Sequence, residues 1–217
     1  MKTGINFDLD GTLLDTLEEL HAAVNHTLAQ FHCPPRTLEE VRRFVGNGVD
    51  QLVRLSLPGK DTDPDVTEVI AAYRSYYNAH CREKTGPYAG ILQALADLAT
   101  EYPLAVVSNK PDSAVKPLCR EYFGDIYSLG ERKETPRKPA PDMVWQAMSA
   151  IGVSQCIYVG DSEVDILTAK NADVPCLSVT WGFRDVEILR AAGAEYFCHH
   201  AADLPAIIEE VLRRAGS

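Results

Sequence analysis

No apolar run in this 217-residue chain approaches the roughly 20 residues that span a bilayer. The opening MKTGINFDLD lacks the long apolar segment and the small-residue cleavage site of a signal peptide. A cytoplasmic protein with no membrane partner is the expectation. A basic stripe is missing too: 21 Lys and Arg stand against 31 Asp and Glu, a net charge of −10. That balance argues against nucleic acid as the main partner. It is also unfavourable for a small anion, unless local cations or a metal reverse the field. None of the six cysteines forms a CxxC pair, so a zinc site of that kind has no support. Without a secretory signal they read as reduced thiols, several of them in apolar runs. Cys198, His199 and His200 offer metal-ligating atoms in a row, but read more simply as a strand end entering a loop. There is no internal repeat and no low-complexity segment.

What is present suffices for one good core, or a core plus a smaller accessory domain: 46% of residues are hydrophobic and 24% charged. From residue 88 onward, short apolar runs alternate with helical ones. LAVVSN (104–109), DIYSLG (125–130), CIYVGD (156–161), PCLSVTW (175–181) and EYFCH (195–199) have strand character. Between them lie helical stretches: from Pro111 to near Phe123, APDMVWQAMSAIG with Pro141 in its first turn and Gly152 past its end, 163–172, 185–192 closed near Gly193, and 203–214. This rhythm predicts an α/β fold with a parallel sheet covered on both faces. The first strand, residues 3–8, breaks the rhythm. About 95 residues separate it from the next clear strand, where a βαβ crossover needs about a dozen. The intervening segment looks helical. Leu17, Leu20, Val24, Leu28 and Phe31 recur at helical spacing, and TLEE (37–40) is a capping box. Asp63 and Pro64 read as cap and first-turn residue of another helix, with Val66, Val69, Ile70, Tyr73 and Tyr77 on one stripe. The expected organisation is a core of residues 1–15 and 83–217 with a helical domain, 16–82, inserted after the first strand.

INFDLDGTLLDT (5–16) ends that strand with two carboxylates, Asp8 and Asp10. In an open parallel sheet, ligands bind beyond the carboxyl ends of the strands. Asp8, the pair Ser108 and Asn109, and Asp161 all stand at such ends. Each motif also has a plainer reading. DLDG suits a turn; as a calcium loop it has Thr12 at the third ligand position and no Glu at the closing one. SNK (108–110) suits a strand exit and helix cap. RKPAPD (137–142) suits an extended loop with an exposed lysine. In GDSEVD (160–165), Ser162 and Asp165 suit a helix cap and an acidic first turn.

Their order is more specific than any one of them. Asp-x-Asp-Gly-Thr, then Ser-Asn, then Lys138, then Gly-Asp-Ser-x-x-Asp resembles the haloacid dehalogenase superfamily in its phosphatase branch. The resemblance covers nearly the whole chain and implies a Rossmann-like core with an inserted α-helical cap. FVGNGVDQLV (44–53) and VTWGFRDVEIL (179–189) narrow it to the phosphoglycolate phosphatases and their close relatives. The chain departs from the family at Gly4 and Asn6, where apolar residues are usual, and at Asp173, where glycine is usual.

The resemblance implies Mg2+-dependent hydrolysis of a small phosphorylated metabolite, phosphoglycolate first among them, by a monomer or homodimer. Asp8 would be the nucleophile, forming an aspartyl-phosphate. Asp10 would hold a proton for the leaving group and take one from water, a role that asks for a raised pKa. Asp8 and Asp161 would supply carboxylates to the metal, Asp10 its backbone carbonyl, and Asp165 support or an indirect ligand. Lys138 would balance Asp8 and the transferring group, and Ser108 would bond a phosphoryl oxygen. The amides of Leu9 and Asn109 would face the phosphate, and Thr12 would orient Asp10. In the cap, Gly46, Asn47 and Gly48 form a loop suited to close approach of a substrate. Arg42 and Arg43 just before it offer cations for a substrate carboxylate, although a solvated helix face explains them as well. Two rival functions share the motifs in part: a phosphotransferase such as a sugar phosphomutase, and a phospho-receiver module without turnover.

Overall fold

The structure, a computed structural model, describes residues 2–59 and 64–215. Along the chain the elements begin with β1 (Thr3–Phe7), β2 (Leu14–Asp15), α1 (Leu17–Gln30), α2 (Leu38–Phe44), α3 (Gly48–Ser56), α4 (Val66–His80) and β3 (Gly86–Pro87). They continue with α5 (Ile91–Ala99), β4 (Leu104–Pro111), α6 (Asp112–Phe123), β5 (Tyr127–Glu131), α7 (Asp142–Ala150) and β6 (Gln155–Gly160). The last are α8 (Glu163–Ala172), β7 (Cys176–Val179), α9 (Val186–Ala191), β8 (Tyr196–Cys198), a 3₁₀ turn at Ala201–Asp203 and α10 (Leu204–Ala215). Two compact units emerge: residues up to Asp15 together with those from Pro87 onward, and Thr16–Gly86. No helix among the described residues is long and apolar enough to cross a membrane.

The first unit is built on a six-stranded sheet in the order β5-β4-β1-β6-β7-β8, with every described pairing parallel. Period-two alternation sends its side chains to two cores. Ile5, Phe7, Val106, Ile157, Val159, Leu177 and Val179 pack on one face with α5, α6 and α10. Ala105, Val107, Cys156 and Tyr158 pack on the other with α7 and α8. Each fully buried Ile, Leu or Phe stabilises the fold by about 1.5–3 kcal/mol. A strand buried on both faces must read as a continuous apolar run, which is why β4 and β6 are so legible.

β1 departs from that rule at Gly4 and Asn6, and the departure at Gly4 has a local reason. A Cβ on Gly4 would stand 2.9 Å from Ile151 Cδ1 and 3.1 Å from Val153 Cγ2, so the α7–β6 connection occupies the space of a side chain. Asn6 is fully buried on the same face; its amide reaches Val144 O at 3.5 Å, and its Oδ1 has no hydrogen-bond partner among the described residues.

Several boundaries differ from the sequence reading. α5 has no counterpart there, although Ile91, Ala94, Leu95 and Leu98 are buried at helical spacing. β7 stops at Val179, and Trp181 lies in the bend beyond it. Pro141 is the N-cap of α7 rather than part of its first turn. Asp173, in the place where glycine is usual, adopts the left-handed conformation that ends α8 (φ 58°, ψ 46°). Aspartate is among the few non-glycine residues that accept this region.

The second unit packs α1 to α4 around Leu20, Val24, Leu28, Val41, Leu52, Val69, Tyr73 and Tyr77. Thr37 and Glu40 form the capping box of α2, with Thr37 N–H donating to Glu40 Oε2 at 2.8 Å. The cap of α4 is Asp65, whose carboxylate accepts from Thr67 N–H at 2.8 Å. Asp63, expected in that role, lies outside the described residues. Gly46 and Gly48 take positive φ (123° and 79°), and with Asn47 they form the turn from α2 into α3. Arg43, exposed, donates from Nε to Glu39 at 3.0 Å, and Arg42, half-buried, lies 3.6 Å from the same carboxylate.

Candidate active site

The chain runs from β1 outward through β4 to β5, then returns to β6 on the other side of β1. That reversal opens a crevice at the carboxyl ends of β1, β4 and β6, which lie side by side. Asp8 follows β1, Ser108 and Asn109 lie near the end of β4, and Asp161 follows β6. Asp165 reaches the same place from the first turn of α8. Among the described residues, Asp8, Asp161 and Asp165 are the group of three potential metal ligands, with carboxylate oxygens within 4.8 Å of one another. The run at Cys198 is different: its thiol donates to His200 O, and His199 Nδ1 bonds the Thr180 hydroxyl. No two of the six cysteines are paired.

Lys138 enters from the loop between β5 and α7, with 2% of its side chain exposed. Asn109 clasps its backbone: the side-chain amide donates to Lys138 O at 3.0 Å, and Oδ1 accepts from Lys138 N–H at 2.8 Å. The Lys138 ammonium donates to Asp165 Oδ1 at 2.8 Å and to the Tyr158 hydroxyl at 3.0 Å. That hydroxyl donates in turn to Val107 O. Asp8 Oδ1 also stands 2.8 Å from the ammonium, an ion-pair distance, yet off the direction a hydrogen bond needs. The Lys138 ammonium thus pairs with both buried carboxylates, Asp8 and Asp165. Burial works against the charge of Lys138, but Asp165 and Asp8 outweigh it and hold the ammonium well above the ordinary lysine range.

Asp161 is held on both oxygens. Thr12 Oγ1 donates to Oδ1 at 3.0 Å, and Phe183 N–H donates to Oδ2 at 2.7 Å. Thr12 was expected to orient Asp10; its hydroxyl serves Asp161 instead, because the turn at Gly11 (φ 84°) swings residue 12 toward β6. A Cβ on Gly11 would overlap the Asp161 carboxylate, and a Cβ on Gly182 would overlap both that carboxylate and Gly11 O. Trp181 Nε1 donates to Thr12 O at 3.0 Å, and Arg184 Nε donates to Glu163 at 2.8 Å, which together fix the 181–184 segment. Asp165 has both oxygens engaged, Oδ1 by Lys138 and Oδ2 by Ser162 N–H and Oγ–H. It supports the cluster more than it offers a free ligand atom.

Leu9 is buried, and its carbonyl accepts from the N–H groups of Thr12, Leu13 and Leu14, folding the loop beneath the site. Ser108 is buried, with Oγ accepting from Lys110 N–H at 3.3 Å. Asp10 is not one of the trio; its Oδ1 accepts from Lys110 Nζ at 2.7 Å. Gly46, Asn47 and Gly48 belong to the helical unit Thr16–Gly86. Sequence reasoning gave no role to Lys110, Tyr158 or the 181–184 segment. Two of these carried a signal: a lysine directly after the Ser-Asn pair, and a tyrosine inside the apolar run of β6.

The haloacid dehalogenase-like hydrolase family profile matches residues 5–179. The chain belongs to this family. It is 33% identical over 217 residues to a phosphoglycolate phosphatase of Cereibacter sphaeroides, covering 96% of this chain and 99% of the relative. A phosphoglycolate phosphatase of Pseudomonas putida is 35% identical over 189 residues, 82% of this chain and 70% of the relative. A solved structure from Lactobacillus delbrueckii subsp. bulgaricus, of a protein assigned as a phosphoglycolate phosphatase, superposes with a TM-score of 0.87 at 37% identity. It covers 96% of this chain and 99% of that one. The chain is thus an enzyme of a hydrolase family whose curated relatives are phosphoric monoester hydrolases, and the receiver reading falls away.

The electrostatics of this hydrolase carry a pH prediction. Burial pushes Asp8 up from 3.8 to about 7; Lys138 opposes the shift and Asp165 reinforces it. Burial, then Asp165 and Asp8, push Asp161 up to about 8. A carboxyl that holds its proton more tightly when folded adds stability below its unfolded pKa and loses it as pH rises through the folded value. The metal-free enzyme should therefore lose stability between about pH 4 and pH 8. A divalent cation favours the carboxylate forms, so its stabilisation should grow over the same window. Thermal melts with and without Mg2+ at about pH 5.5 and pH 8 check this. The gap in Tm should widen with pH, and a constant gap would contradict the assignment.

Proposed function

We propose that this hydrolase transfers the phosphoryl group of a small phosphate monoester to Asp8 and then to water, with Mg2+ as cofactor and phosphoglycolate as the first-choice substrate. The observation that carries the reading is the convergence of Asp8, Asp161, Asp165 and Lys138 on one buried place at the carboxyl ends of adjacent strands. The names of the curated relatives support the substrate.

The residues present fit the cation. In formal charges, Asp8, Asp161 and Asp165 against Lys138 leave two negative charges, which one divalent ion offsets. All the donors are hard oxygens, the set Mg2+ accepts. Asp8, Asp161 and Asp165 are buried with carboxylate oxygens within 4.8 Å of one another, a concentration of negative charge that a divalent ion would offset. Asp8, Asp161 and the backbone carbonyl of Asp10 would hold the ion, with Asp165 behind them. Bound there, it would supply Lewis-acid neutralisation of the substrate phosphate.

The chain's own residues do the rest. Asp8 attacks phosphorus as the ester P–O bond breaks, and Asp10 gives its proton to the departing oxygen. Asp10 then takes a proton from water, which attacks phosphorus and releases inorganic phosphate and free Asp8. Lys138 balances charge on Asp8 and on the equatorial oxygens, and Ser108 donates to one of them. The helical unit Thr16–Gly86, with its Gly46–Gly48 turn, is the segment we assign to substrate selection.

The test is a panel of phosphorylated metabolites that includes phosphoglycolate and p-nitrophenyl phosphate, assayed for phosphate release with Mg2+. Phosphoglycolate should show the highest kcat/KM. Chelation should stop turnover, and added Mg2+ should restore it. Sugar-phosphate isomerisation without phosphate release would replace this reading with the mutase one.

A further inference from the structure

The second carboxylate of DLDG has a cation of its own. Asp10 Oδ1 lies 2.7 Å from Nζ of Lys110, with 13% of the Asp10 side chain and 3% of the Lys110 side chain exposed. Lysine is almost never buried this deeply unless it is paired, because an ammonium removed from water needs a compensating charge. The pair joins residues 100 positions apart, so it is not a by-product of local helix geometry. Lys110 belongs to β4, and its backbone N–H donates to Ser108 Oγ, so its anchor is a central strand. Lys138 meanwhile pairs with Asp8 from the loop between β5 and α7. Two carboxylates separated by one residue are thus assigned to two different ammonium groups.

The backbone at Asp10 is already fixed, since it bridges Leu14 and Gly11 N–H donates to Leu14 O at 2.9 Å. Rotation of the side chain is the freedom that remains. A general acid must lie within about 2.6–3.2 Å of the atom it protonates, and a misplacement of about 1 Å can cost about 100-fold in rate. We propose that Lys110 is the positioning residue of Asp10, fixing its carboxyl group in the direction from which it exchanges protons with the leaving oxygen and with water. This inference rests on the proton-transfer role proposed above for Asp10.

The test compares single-turnover cleavage of two esters by the Mg2+-loaded enzyme. p-Nitrophenolate departs without a proton, whereas an alkoxide needs one. Lys110→Met should slow alkyl-phosphate cleavage by about tenfold or more and p-nitrophenyl phosphate cleavage by less than about threefold, since general acid catalysis contributes about 10²–10⁴-fold. In an Asp10→Asn background the same change should have no further effect on the alkyl ester, because the two residues act as a unit. Equal losses on both esters, no loss on either, or additive losses in the double variant would overturn the inference. If Lys110→Met does not fold, Lys110→Gln keeps a donor and should show the same split in smaller measure; equal losses there would also overturn it. If Asp10→Asn alone shows no leaving-group dependence, the role of Asp10 itself has failed. If Asp10→Asn shows it and the Lys110 variants do not, the failure belongs to Lys110 alone.

Discussion

Asp8→Asn should lower kcat by at least about 10⁴-fold, a loss typical of removing a nucleophile, and it should not lower the Tm of the metal-free enzyme. The first half follows from the role of Asp8 as the atom that bonds to phosphorus. The second follows from its surroundings. The carboxylate is buried beside Asp161 and Asp165, and burial already disfavours its charge. The amide removes one member of a repelling trio, while Lys138 keeps its hydrogen bond to Asp165. Mg2+ should stabilise the variant less than the parent, since one ligand is gone. Steady-state kinetics with paired melts provide the check. Substantial residual turnover would remove Asp8 from the nucleophile's place, and a large fall in Tm would mean that Asp8 holds the fold together.

Lys138→Met should do the opposite to stability. It should abolish turnover and destabilise the metal-free enzyme by about 3–5 kcal/mol, the range for removing one partner of a buried ion pair. Asp8 and Asp165 would be left without their shared cation, and the Tyr158 hydroxyl would lose its ammonium donor. Mg2+ should then recover more Tm in the variant than in the parent, because the metal no longer competes with an ammonium for the same carboxylates. Calorimetry of both proteins with and without Mg2+ decides this. An unchanged Tm in the metal-free variant would show that the carboxylates do not depend on Lys138.

The parts of the site that were legible in the sequence are those whose chemistry is written in residue type and chain order. Asp8, Ser108, Asp161 and Lys138 each stand next to a strand end or loop that the apolar pattern already marks. Lys110 was in view within SNK, but its partner lies 100 residues away, and only the pairing of β1 with β4 brings them together. The hydrogen bond from Phe183 to Asp161 comes from a backbone N–H, which has no residue identity to read. The family resemblance assigns Thr12 to Asp10, whereas the Gly11 turn delivers its hydroxyl to Asp161.

The fold shows the same division. Strands buried on both faces stand out as apolar runs, and helices 163–172 and 112–123 are bounded by clear turn chemistry. Helix α5 carries its periodicity openly in Ile91, Ala94, Leu95 and Leu98, but at nine residues it is short and follows directly on the GPYAG turn. In DPDVTEV both aspartates satisfy the local rule for a cap, and the one among the described residues, Asp65, fills that place in α4. The polar residue in β1 is explained by neither pattern nor propensity: Asn6 is buried with weak partners, and nothing in the structure accounts for it.

Acid quenching during turnover, followed by borohydride reduction and peptide mass spectrometry, tests the central assignment most directly. An acyl phosphate on Asp8 would be reduced to homoserine at position 8, formed only when substrate and Mg2+ are both present. Homoserine at another aspartate, or none while phosphate is released at full rate, would contradict the account.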